Sequence, residues 1–407
     1  MSCIIIGASH AGVQAAVNLR AQGYKDSITL INAESVMPYQ RPPLSKAFLQ
    51  DALPEQRLWL RPEAFYQQKD ITLMLSTRVV SINATDNSIS LENGNSLNYC
   101  KLIIATGASI RRLTIPGSEL PQIHYLRDHK DTVGIKEQIN NIEKVVVIGG
   151  GYIGLEAAAS MAKLGKKVTL LINSERPLAK STCTIVSDFF TKLHKSHGID
   201  IKLNTQAKSI EKAAQGVIVN TSDDDALAAD AVIVGIGVTP EQSLAENAGL
   251  TVENGVCVNE FMRTSNEDIY AIGDCVSFYH PLYKKQVRIE SVQNATDQSK
   301  TAASAICNQP TPYNATPWFW SDQFDAKLQI AGLSDGYDDT VIREESENSF
   351  AVFYFKAKQL IAVDTMNQPK TFMATRKHLT RLVEVDKQLL ADTNVNINHV
   401  FNPVTGA

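Results

Sequence analysis

Apolar positions along this chain fall twice into one arrangement. Residues 2–6 form a short apolar run, followed by Gly7-Ala8-Ser9-His10-Ala11-Gly12 and a helix-like stretch over 13–20. That stretch closes at Gly23, and 28–31 is the next apolar run. The second copy opens at 145–148, turns through Gly149-Gly150-Gly151-Tyr152-Ile153-Gly154, continues as a helix-like stretch over 155–164 to Gly165, and resumes at 168–172. A glycine just past a helix is a natural C-terminal cap. Each copy therefore predicts strand, glycine turn, helix and strand within about 30 residues.

That unit is the dinucleotide-binding βαβ fold, and its glycines have physical tasks. The first makes the tight turn, the second lets backbone approach a pyrophosphate, and the third lets helix pack on strand. Amides at the helix N-terminus then face the anion. Gly149, Gly151 and Gly154 complete the pattern in the second copy, together with Tyr152 and Ile153. The first copy has Gly7 and Gly12 but Ser9 in the middle place. Serine is small, so approach of a phosphate survives but is tighter. An acid about 20 positions on normally reads a ribose. Glu34 fills that place after the first copy; after the second the strand end is Ile172, with Glu175 and Arg176 beyond it. Arg176 is thus a candidate positive charge for a coenzyme phosphate, and NADH with tolerance of NADPH is expected.

Three further apolar strands end in glycine-bearing turns, at 102–107, 231–237 (closing on Gly237) and 269–274. Such runs belong in a parallel sheet covered by helices. Beyond 319 the texture changes: 328–333, 349–355 and 359–364 read as antiparallel strands with a tight turn, and a helix follows Pro369. Asp223-Asp224-Asp225 reads as a solvated loop.

Composition narrows the class. At 407 residues the chain calls for two or three domains. Hydrophobic residues make up 44% and charged ones 20%, which argues against disorder, a fibre or a disulfide-stapled scaffold. A net charge of -4 gives no basic footprint for nucleic acid. No apolar run is long enough to span a bilayer, and the N-terminus lacks a basic region before its apolar run. The six cysteines contain no C-x-x-C pair, so neither a dithiol relay nor a zinc site is expected. They read as reduced thiols of a cytoplasmic protein.

Six segments together carry a family likeness. Gly7 to Gly12, Pro38-Tyr39-Gln40-Arg41-Pro42-Pro43-Leu44-Ser45-Lys46, Ala105-Thr106-Gly107, Gly149 to Glu156, Ala271-Ile272-Gly273-Asp274 and Trp318-Phe319-Trp320-Ser321-Asp322-Gln323 resemble, in that order, the motifs of flavin-dependent ferredoxin reductases. The resemblance implies a glutathione-reductase-like α/β fold: two Rossmann-type dinucleotide-binding domains plus an α+β C-terminal domain. The implied boundaries are 1–108 and 240–318 for the FAD domain, 109–239 for the NAD(P) domain and 319–407 for the last. It places Gly7, Ser9, Gly12 and Glu34 on FAD, Arg41 and Lys46 near the flavin ring, Asp274 on its ribitol, and Glu290 and Trp320 close to the cofactor. Glu156 would pair with Lys46 and orient the nicotinamide, while Lys300 and Trp318 would meet the protein partner.

The implied reaction passes electrons from NAD(P)H through FAD to a [2Fe–2S] ferredoxin serving a cytochrome P450 or Rieske oxygenase. Such chemistry belongs to the cofactors, with the protein supplying position and electrostatics. Two alternatives keep the fold. One changes the acceptor to rubredoxin; the other is an NADH-sensing flavoprotein resembling apoptosis-inducing factor. Peroxide-reducing relatives carry an active-site cysteine where this chain has Arg41 to Lys46, so that reading is weak.

Overall fold

The computed structural model describes residues 2–401. By packing the chain divides into two compact units: one of residues 2–40, 56–109 and 239–319, the other of 41–55, 110–238 and 320–401.

The first unit is built on a five-stranded parallel sheet in the order Ile269–Ala271, Lys101–Ile104, Ser2–Ile6, Ser27–Ile31, Ile71–Met74. Its middle strands are buried on both faces, hence the unbroken apolar runs. The helix His10–Ala21 packs on Val292–Ile306. Buried Ala11 and Ala15 share the helix face of Asn18 and meet a helix carrying Ala295, Ala302 and Ala303, and small side chains bring the axes close. Within that seam Asn18 Nδ2 donates to Ser299 Oγ at 3.0 Å.

The second unit repeats the solution. Its parallel sheet runs Asp200–Lys202, Lys167–Leu171, Lys144–Ile148, Ala231–Val234, Ile123–Tyr125. An antiparallel sheet follows in the order Ala326–Gly332, Gln359–Met366, Ser349–Lys356, Asp339–Ser346. The expected hairpin is present, as is the helix Pro369–His378. The acidic run at 223–225 does more than solvate a loop. Asp223 accepts from Thr205 Oγ1 at 2.7 Å and Asp225 pairs with Lys202 at 2.8 Å, so the turn is fastened to neighbouring segments.

The chain after Ala391 is held by one buried cation. Arg343, 4% exposed, donates from Nη1 to the carbonyls of Leu390 (3.2 Å) and Asp392 (2.6 Å). Its Nη2 donates to those of Thr393 (3.3 Å) and Val395 (2.7 Å). Removing the donors leaves four carbonyls unpaired, of which the buried one of Leu390 carries the cost of an unsatisfied group, about 1–3 kcal/mol. Arg343→Met should therefore speed amide exchange over 387–401 while leaving the two parallel sheets protected. Unchanged exchange in that segment would show that apolar packing alone retains it.

Candidate functional site

In a parallel sheet all strands end on one edge, where open α/β sheets bind their ligands. In the first unit that edge gathers Gly7, Ser9, Gly12, Glu34, Ala105, Thr106, Gly107 and Asp274. Gly7 has φ +105°, and a Cβ there would lie 2.2 Å from the Ala105 carbonyl oxygen. One on Gly12 would lie 1.8 Å from the Gly7 oxygen. Only glycine permits this close crossing of helix and strands. Ser9 caps the helix His10–Ala21 in extended conformation. Thr106 Oγ1 donates to the Glu241 carbonyl at 2.6 Å.

Two supports here were not read from the sequence. Tyr39, from the proline-rich loop, donates its hydroxyl to Glu34 Oε2 at 2.7 Å. Gln298 Oε1 accepts from Gly273 N at 2.7 Å and so fixes the turn that presents Asp274. Arg288 donates to the Asp274 carbonyl at 3.4 Å and pairs with Glu290. Lys300 lies eight positions along the helix from Val292, about 12 Å at the usual rise. Its carbonyl accepts from Gln22 Nε2 at 3.4 Å. Trp318 N donates to Gln293 Oε1 at 3.1 Å.

The second unit's edge carries the other glycine turn. A Cβ on Gly149 (φ +126°) would meet the Gly235 oxygen at 2.2 Å, and one on Gly154 the Gly149 oxygen at 2.0 Å. At Gly151 nothing lies within 4 Å of the added carbon. The turn is thus tight at its first and third glycines and open at its second, the shape that admits a pyrophosphate. Gly235, missed beside Gly237, completes the tight approach; the Gly-x-Gly spacing was its signal. Tyr152 is half-buried, and burial raises its phenol well above the ordinary range. Ile153 is exposed beside it.

Arg176 turns inward. Its Nη1 donates to the Thr182 carbonyl at 2.9 Å and Ser187 Oγ at 2.6 Å, and its Nη2 to the Ala179 carbonyl at 3.1 Å. It ties down its own loop, so the NADPH tolerance expected from it loses its support. Ile172 is 1% exposed, and a Cβ on Gly150 would meet its Cγ2 at 2.7 Å, so it packs under the turn instead of facing a ribose.

The most unusual chemistry in the second unit surrounds Glu156, which is 4% exposed. Lys46 Nζ lies 3.0 Å from its Oε1 and 3.7 Å from Asp322 Oδ2. Ser45 Oγ donates to Oε2 at 2.7 Å and Ser321 Oγ to Oε1 at 2.6 Å. Burial holds this carboxyl above the usual carboxylate range, while Lys46 and the two hydroxyls pull it back. The short 3₁₀ turn Pro42–Ser45 delivers Ser45 and Lys46, its φ angles preset by two prolines. Ser160 Oγ donates to the Ser45 carbonyl at 2.6 Å, and Arg41 Nη1 to the Arg127 carbonyl at 2.7 Å. Alternation along the strand Trp318–Gln323 turns Ser321 toward Glu156 and leaves Trp320 on the opposite face.

Comparison with known proteins agrees with this build. The pattern of the Pyridine nucleotide-disulphide oxidoreductase family matches residues 1–299, and that of the Reductase C-terminal family matches 318–401. The chain is 40% identical to rhodocoxin reductase of Rhodococcus erythropolis over 98% of its own length and 93% of that protein. It is 40% identical to a rubredoxin-NAD(+) reductase of Pseudomonas putida over 91% of this chain and 97% of the other. Its fold superposes on putidaredoxin reductase, solved in covalent complex with putidaredoxin, with TM-score 0.95 and 38% identity over 100% and 99% of the two chains. With two family patterns covering nearly its whole length, this chain belongs to the pyridine nucleotide-disulphide oxidoreductases, in the ferredoxin reductase branch that ends in a reductase C-terminal domain.

Proposed function

We propose that this chain oxidises NADH and reduces a [2Fe–2S] ferredoxin, by way of a bound FAD, in the service of a cytochrome P450 or Rieske oxygenase. One NADH and two oxidised ferredoxins become NAD⁺, a proton and two reduced ferredoxins. The observation that carries the reading is the pair of glycine turns, one at the edge of each parallel sheet, both built so that a side chain would strike backbone. The putidaredoxin named with one relative, and the 40% match to rhodocoxin reductase over 98% of this chain against 91% for the rubredoxin reductase, support the choice of acceptor.

The residues present fit FAD and NADH. Gly7, Ser9 and Gly12 would take the FAD pyrophosphate, Glu34 its ribose and Asp274 its ribitol, with Ala105 to Gly107 and Glu290 lining the same domain. Gly149, Gly151, Tyr152, Ile153, Gly154 and Gly237 would hold NADH. The functional domains we assign are 1–108 with 240–318, then 109–239 and 319–407. Bound FAD supplies acceptance of a hydride and release of single electrons. The protein's part is electrostatic: Lys46, held by Glu156 and Asp322, is the cation we assign to the reduced ring, with Arg41 and Trp320 beside it. Lys300 and Trp318 are the contacts we assign to the acidic partner. Rubredoxin as acceptor is the second reading, favoured by the 40% identity to a rubredoxin reductase. Among the described residues no helix is long and apolar enough to cross a membrane. All six cysteines are free thiols, which supports a reducing, cytoplasmic location.

Purified protein should be yellow, bleach with NADH under anaerobic conditions, and reduce cytochrome c only when ferredoxin is added. Running rubredoxin in the same assay decides between acceptors. Colourless protein that cannot be reconstituted with FAD would end this reading. Lys46→Met should keep its flavin but slow bleaching about 10- to 100-fold, the worth of one charged hydrogen bond. An unaltered rate removes Lys46 from the mechanism. Gly151→Ala, with open space at its Cβ, should keep the thermal midpoint yet raise the KM for NADH about tenfold, because it crowds the anion site. Gly154→Ala should instead lower the thermal midpoint. Equal behaviour of the two variants would contradict the division of roles between the glycines.

A further inference from the structure

Ser321 and Gln323 lie two residues apart on one strand, so their side chains share a face. They are 0% and 1% exposed. Hydrogen bonds run through both toward Glu156. Ser321 Oγ lies 2.6 Å from Glu156 Oε1, and Gln323 Nε2 lies 3.2 Å from Ser321 Oγ. At the far end, His194 Nε2 lies 2.8 Å from Gln323 Oε1. His194 belongs to the helix Thr184–Ser196, is 0% exposed, and sits between the rings of Phe190 and Phe324 at 6.5 and 5.3 Å.

Chemistry fixes the direction of every link. With Glu156 ionised its oxygens only accept, so in that state the Ser321 hydroxyl donates to it. Its oxygen then receives from the Gln323 amide nitrogen, which leaves Gln323 Oε1 as the acceptor toward His194. His194 must therefore carry its hydrogen on Nε2. Burial pushes its imidazole down to about 4, so it stays neutral, and its Nδ1 has no protein partner. Three consecutive donors thus point at one carboxylate. A phenylalanine at 194 would fill the apolar space without burying a polar ring, and burying one without purpose is costly. Aligned hydrogen bonds in a low-dielectric interior reinforce one another, and the last one, to a charge, is the strongest.

We propose that Ser321, Gln323 and His194 are positioning residues that form one polarised hydrogen-bond chain, holding the Glu156 carboxylate ionised and aimed at Lys46. This rests on the assignment of Lys46 and Glu156 above and extends it to three residues on two other elements. Ser45 performs the same task from the opposite side with a single hydroxyl. The charged and titratable groups facing Glu156 are Lys46, with Asp322 behind it, and Tyr152 one turn earlier on its own helix. Facing His194 are Gln323 and, through space, His197. Burial raises the Glu156 carboxyl and the donors lower it, so each donor removed lets protonation begin at a higher pH.

The test uses the FAD-loaded enzyme and two readouts. One is the pH profile of anaerobic flavin bleaching by NADH; the other is the infrared band of the protonated Glu156 carboxyl in the oxidised protein, identified by its loss in Glu156→Gln. Ser321→Ala should raise the midpoint of both by about one pH unit and slow bleaching about tenfold on the acid side. Ser321→Thr, which restores a hydroxyl, should bring both back. Gln323→Glu keeps the shape but only accepts, so it draws the Ser321 hydrogen away from Glu156 and should move both midpoints upward. If it fails to fold, the Ser321 alanine and threonine pair decides alone. Midpoints unmoved by Ser321→Ala overturn the chain. Should Glu156→Gln leave bleaching untouched, the catalytic assignment of Glu156 falls instead, while the infrared midpoint still judges the chain.

Discussion

A carboxylate kept from water organises the second unit. Burying an ionised glutamate costs several kcal/mol unless a partner charge and further hydrogen bonds replace the water. At Glu156 those replacements come from two directions: Lys46 and Ser45 on the proline turn, and Ser321 on the strand. Each donor must stand within hydrogen-bond range, so the turn, the strand and the helix cannot move independently without exposing an unpaired charge. The secondary links follow from that demand. Gln50 Nε2 donates to Ser160 Oγ at 2.8 Å, and Ser160 holds the Ser45 carbonyl. Residues 41–55 belong to this same unit.

The two parallel sheets answer a different constraint. An anion is met by backbone amides only where helix and strand cross with no side chain between them. Both units reach that geometry with a glycine whose absent Cβ leaves room for a neighbouring carbonyl, at Ala105 in one and Gly235 in the other. The second turn also leaves Gly151 open. The first has a serine in that place, at the N-cap position of its helix. The same physics thus tolerates one polar residue at the open position of the turn, but no side chain at those that face backbone.

The chemistry that this scaffold serves asks little of side-chain acids and bases. No paired cysteines are available for a dithiol relay, despite the family's disulphide name, so the protein contributes charge placement and access. That makes a fixed cation more valuable than a mobile one.

By itself the sequence determined the elements whose physics is local. Glycine spacing, apolar runs and the caps at Gly23 and Gly165 announced two βαβ units, because steric freedom and burial act within a few residues. The antiparallel hairpin near the C-terminus was legible for the same reason. Spacing singled out Glu34, and family resemblance named Lys46 and Glu156 as a pair, but not the hydroxyls of Ser45 and Ser321 that surround it. Tertiary structure alone decided that Tyr39 orients Glu34, that Gly235 lies against Gly149, and that Arg176 spends its donors on its own loop. It alone decided that His194 is joined to Glu156 through Gln323 and Ser321. Some of those contacts join near neighbours in unpredictable geometry, as Tyr39 and Glu34, while His194 with Gln323 and Ser321 with Glu156 join residues more than a hundred positions apart. Periodicity and spacing carry no record of such meetings, whereas the energy of a buried hydrogen bond is set by nothing else.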